Sequence, residues 1–195
     1  MHSRSCLGTF VVTLALASTS DATTLIVNGS GLLTGARGVD VGGTLYDVEF
    51  VDGTCLALFD GCDDVTDFDF TTESDAQAAS QALLDQVFLG TFDTTPTLTF
   101  GCFDPRTCDA ITPFGLTPSG ALIVAAHNQV LNDGVQTNFF IPVSADTGAG
   151  VVDLTVFAQW SPSPDAAVPE PASLTLLGLG LAGMAGRRWR QRKRS

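Results

Sequence analysis

Two uncharged apolar runs, one at each end of the chain, limit how much of it is left to fold in water. The first, Cys6 to Ala17, follows a start whose one fixed charge is Arg4 and leads into Ser18-Thr19-Ser20-Asp21-Ala22. A basic start, a short apolar stretch and small residues at Ser20 and Ala22 have the form of a secretory signal peptide, with cleavage after Ala22 or, alternatively, after Ala17. It is too short for a comfortable bilayer span, which takes roughly 20 residues. The second run, Ala172 to Gly186, ends in a cationic cluster of Arg187, Arg188, Arg190, Arg192, Lys193 and Arg194, with Trp189 at the position of a membrane interface. A transmembrane segment is expected at about 172–189, with the cluster stopping transfer on the cytoplasmic side. Between signal residues 1–22 and this tail lies one domain of ordinary size. Its expected limits are 23–160, followed by a Pro/Ser linker at 161–168.

Pro169-Glu170-Pro171 stands directly before the second apolar run. The order Pro-Glu-Pro, apolar span, arginine cluster resembles the PEP-CTERM sorting signal of Gram-negative bacteria, over residues 168–195. The resemblance implies export, residence in the inner membrane as a precursor, and cutting near Pro-Glu-Pro by exosortase. It further implies a final place at the cell surface or in the extracellular matrix, with exopolysaccharide or biofilm as the associated material.

Removing both ends changes the charge. Of nine basic residues only Arg37 and Arg106 remain within 23–168, against nineteen acidic ones, a formal charge of −17. Nucleic acid and anionic lipid surfaces are excluded as partners of this domain, since both need a cationic face. Four cysteines remain, Cys55, Cys62, Cys102 and Cys108. In an oxidising compartment an even number reads as two disulfides, with three pairings possible. Cys55–Cys62 and Cys102–Cys108 are favoured because each closes a short, turn-rich segment. Zinc is the rival, but these separations do not match its usual short Cys pairs.

The expected fold is mainly β, an antiparallel sheet or β-sandwich with one helix packed on it. Strand-like runs lie at 24–28, 39–41, 45–51, 97–100, 121–127, 137–143 and 151–159. Tyr46, Val48 and Phe50 alternate with Asp47 and Glu49, the period of a half-exposed strand. Asn28-Gly29, Gly42-Gly43, Asp52-Gly53 and Asp133-Gly134 supply turns. The helix is expected at about 74–89, with Ser74 as N-cap, Gln77 closing a capping box and Gly90 as terminator. Ala76, Ala79, Leu83, Leu84, Val87 and Phe88 form its core-facing stripe.

Site chemistry is sparse. Asp60, Asp63, Asp64, Asp67 and Asp69 crowd one segment and are the kind of hard oxygen donors that Ca²⁺ takes, although the spacing is not that of an EF-hand. Asp67 and Asp69 alternate with Phe68 and Phe70, so the alternative is an acidic strand edge held open by charge. His127 is the one histidine beyond the leader. No nucleophile elbow, zinc-protease motif or phosphate loop appears. The expectation is a protein that is not an enzyme and needs no cofactor, with a Ca²⁺-dependent binding module and a secreted hydrolase as the alternatives.

Overall fold

Strand alternation and glycine turns build the fold outward from its hairpins. The structure, a computed structural model, describes residues 22–148 and 154–164. The first three strands, β1 (Thr24–Val27), β2 (Leu33–Val41) and β3 (Thr44–Val51), form an antiparallel meander. Gly42 and Gly43 close the β2–β3 hairpin with φ of 62° and 91°. Two successive positive φ angles match the right-handed twist of the flanking strands and favour glycine. As the alternation predicts, Val48 and Phe50 are buried and Glu49 is exposed.

A second meander follows: β4 (Thr107–Thr117), β5 (Gly120–Gln129) and β6 (Gly134–Ile141). The last strand, β7 (Thr155–Pro162), inserts between the two meanders. It runs antiparallel to β3 and parallel to β4, giving one seven-stranded sheet of order β1-β2-β3-β7-β4-β5-β6. The protein is therefore a single, mostly antiparallel sheet and not a sandwich.

Three short or long helices cross between the meanders: α1 (Cys55–Leu58), α2 (Glu73–Gln86) and α3 (Thr91–Thr94). The expected apolar stripe of α2 is buried throughout. Its cap lies two residues earlier than Ser74: Thr72 accepts from the backbone N–H of Asp75, and Glu73 joins Asp75 in the electropositive first turn. Val87 ends the helix before Gly90 is reached. Packed on Ala110, Val124, Ala126, Val156 and Ala158, α2 covers one sheet face, and Phe88 stacks on Phe50 with ring centroids 5.4 Å apart.

Three strand expectations change. Residues 97–100 are not a strand: Pro96–Leu98 form a 3₁₀ turn, and Thr99 makes one isolated bridge to Leu33. Pro96 favours this by fixing its own φ and offering no N–H. Strand β4 was hidden in the sequence by Pro113 and Gly115. Pro113 is tolerated because β7 pairs only with Asp109–Ile111, so no ladder bond on that side needs its missing N–H, and the register to β5 shifts there. Finally, Ser161 and Pro162, assigned above to the linker, pair with Asp47 and Tyr46 of β3. Pro162 sits at the strand's last position, where its ring is accommodated. Of the run at 151–159, residues 151–153 lie outside the described residues, as do the expected signal peptide through Asp21, the rest of the expected linker from 165, and the expected transmembrane segment at about 172–189 with its cationic tail.

Candidate functional site

The opposite sheet face is covered by irregular chain. Both cysteine pairs are bridged as expected, Cys55–Cys62 and Cys102–Cys108. The first bridge ties α1 to a tight turn in which Asp60 and Cys62 hold φ of 41° and 52°. Such left-handed backbone is costly for residues with a Cβ, least so for Asp. From this loop Phe59 meets Phe157 and Phe68 edge-on, both at 5.5 Å, and α1 is capped by Thr54. Gln159 anchors the loop to β7, donating to Leu58 O at 2.9 Å.

The five aspartates do not converge. Asp67 Oδ2 accepts from the backbone N–H groups of Asp63 and Asp64, both at 3.1 Å. Asp64 caps the turn Val65–Asp67 by accepting from Thr66 N and from its hydroxyl. These donations hold the Asp64 carboxyl below its usual pKa. Asp60 and Asp69 stand in the turns at either end. Among the described residues, no three His, Cys, Asp or Glu side chains are grouped to hold a metal ion. Nor is the segment a strand edge: Phe68 packs on the loop-covered face and Phe70 beneath α2, so the chain passes from one face to the other. The Asp64 and Asp67 carboxylates here serve backbone N–H groups that no ladder satisfies.

Beyond the loop, over β4, β5 and β6, the described residues leave the face open. A cavity of about 440 Å³ has Ile111, Ile123 and Ala125 as its floor. Phe139 and Phe140 of β6, 49% and 57% exposed, stand along it, and Leu154 and Thr155 close the other side. Asp109, beside Ile111 on β4, is its one ionisable lining residue. The β4–β5 register sets Asp109 opposite His127, and His127 Nδ1 is hydrogen-bonded to Asp109 Oδ1. Burial raises the Asp109 carboxyl pKa, against the lowering effect of His127. This pair leaves Nε2 as the imidazole's remaining nitrogen, the orientation an Asp–His couple has in hydrolases. The hydroxyl among the cavity's lining residues is that of Thr155. Sequence reading picked out His127 but missed Asp109, because its strand was not recognised.

A second hollow on the same side of the sheet, about 360 Å³, is polar, with Arg37, Asp47, Glu49, Gln159 and Ser161 in its lining. Among the described residues no helix is long and apolar enough to cross a membrane.

Residues 167–193 match the PEP-CTERM protein-sorting motif. The matched segment contains Pro169-Glu170-Pro171 and most of the cationic cluster, and it starts within a few residues of the end of β7. It gives the chain the sorting signal of an exported protein processed by exosortase at the membrane. No curated protein and no solved structure matches the chain.

Proposed function

We propose that the chain is a non-enzymatic protein, exported through a cleaved signal peptide ending at Ala22 and released by exosortase to the cell surface or extracellular matrix, where it associates with exopolysaccharide. The observation that carries this reading is the sorting motif placed immediately behind the sheet's joining strand. Ser163 is still buried, donating its N–H to Leu45 O at 3.0 Å, so packing on the sheet reaches past β7 to that residue. Five residues, 164–168, lie between Ser163 and Pro169, a fully extended reach of no more than about 20 Å. A cut at Pro169-Glu170-Pro171 falls beyond Pro162, the last residue of β7, and so leaves that strand intact. Two disulfides suit the oxidising compartment the signal leads to. The high acidic excess suits solubility in a hydrated matrix.

The test is replacement of Pro169-Glu170-Pro171 by three alanines. The expected result is a membrane-bound precursor that keeps its arginine tail. Release of this variant at the wild-type rate would show that the tail is only an anchor.

A further inference from the structure

The cavity over β4–β6 has a composition that selects its occupant. Its lining is mostly aliphatic and aromatic, with Gln136 and Thr155 as its uncharged polar members; its volume of about 440 Å³ lies in the range of small-molecule sites, and one ionisable side chain lines it. That side chain, Asp109, is partly buried, 19% exposed, and its neighbour His127 is 15% exposed. A neutral apolar occupant would strip the remaining water from the carboxylate and leave its charge inadequately compensated. An anion would meet both that carboxylate and the field of a domain with formal charge −17. A cation with an apolar body satisfies both terms: its body covers Ile111, Ile123 and Phe139, and its ammonium donates to the carboxylate, which has acceptor capacity beyond the bond to His127.

We infer that this cavity is a binding site for a small amphipathic amine, seated with its ammonium on Asp109 and its apolar body against Ile111, Ile123 and Phe139. The site lies on the far side of the sheet from α2, and the sorting reading does not depend on it.

Isothermal titration of the exported, oxidised protein in about 150 mM salt, which screens the general acidic field, uses n-octylammonium, n-octanol and n-octanoate as probes. Octylammonium is expected to bind at least about tenfold more tightly than octanol, the scale of one charge-assisted hydrogen bond, and octanoate weakest of the three. Asp109→Asn is expected to erase the preference for the amine while octanol binding survives. Asp85→Asn, on the exposed face of α2, is expected to leave it unchanged. Ile123→Trp, which fills the cavity, is expected to abolish binding of both. Octanol or octanoate binding as tightly as the amine would overturn the inference, as would an amine preference that persists in Asp109→Asn. The wild-type probe comparison stands on its own if Asp109→Asn does not fold.

Discussion

The two faces of the sheet are covered in different ways, and the two hollows described above both lie on the less regularly covered one. On one face a 14-residue helix, α2, satisfies its own backbone and lays a continuous stripe, Ala76 to Phe88, onto the sheet. A helix brings no unmet N–H groups to the contact apart from its first turn, and here Thr72 and Asp75 attend to that turn. On the other face the cover is the irregular segment around Cys55–Cys62, which must satisfy its backbone piece by piece. Thr54, Asp64 and Asp67 do so with side-chain oxygens, and the disulfide holds the left-handed turn. Such a loop shields Phe59, Phe68 and Phe157 but does not extend across the sheet. An apolar hollow remains to one side of it and a polar hollow to the other. Continuous cover comes from secondary structure; irregular cover leaves room for ligands.

Cavity-creating substitutions put this contrast under the greatest strain. Leu83→Ala, at a fully buried position under α2, is expected to cost about 3–4 kcal/mol in chemical denaturation. Ile123→Ala, at 7% exposure on the cavity floor, is expected to cost about 2 kcal/mol, because the existing hollow reduces the cavity contribution. Equal losses at the two sites would mean that the loop-covered face is as tightly packed as the other.

Removing the first disulfide sharpens the comparison at the next level. Cys55→Ala with Cys62→Ala releases a bridge spanning seven residues of sequence, for which loop-closure entropy gives about 2.5 kcal/mol. The loss is expected to appear as faster amide exchange in residues 54–68, with α2 still protected. Exchange rising in α2 to the same extent would show that the two covers unfold as one unit.

The smallest expected effect is in pH dependence. Burial raises the carboxyl pKa of Asp109, and it raises that of Asp52, which the Thr147 bond partly offsets and the Asp146 charge reinforces. Asp109 lines the cavity, and Asp52 follows β3 at the entry to the disulfide loop, where the Thr147 hydroxyl donates to it. A raised folded pKa means that the native state holds the proton longer than the unfolded chain. Its contribution is complete below the unfolded value near 3.8 and is lost as pH rises through the folded values. The melting midpoint is therefore expected to rise as pH is lowered through the folded values toward 3.8, and Asp109→Asn to flatten part of that rise. An unchanged slope in the variant would place the effect in general charge repulsion.

Much of this organisation is legible in the sequence where the determinants are local. The α2 stripe follows the helical period, and Gly42-Gly43 between alternating runs marks the β2–β3 hairpin. Short separations favour the disulfide pairing that is found. What escaped depends on distant partners. Strand β4 holds a proline that only the limited β7 pairing makes harmless, and missing it hid Asp109 and the cavity floor. Ser161 and Pro162 look like linker residues until β3 is seen beside them. In the aspartate segment the sequence shows carboxylate density but not the backbone N–H groups from which Asp64 and Asp67 accept.

The central claim is that the mature protein is an oxidised sheet domain freed of both terminal apolar runs. The intact mass of the unreduced protein collected from outside the cells tests all parts of it at once. The account predicts a chain beginning near Thr23 and ending near Pro171, lighter by four hydrogens than the same chain with all thiols free. A mass that includes Met1 or the arginine cluster, or one showing four free thiols, would contradict it.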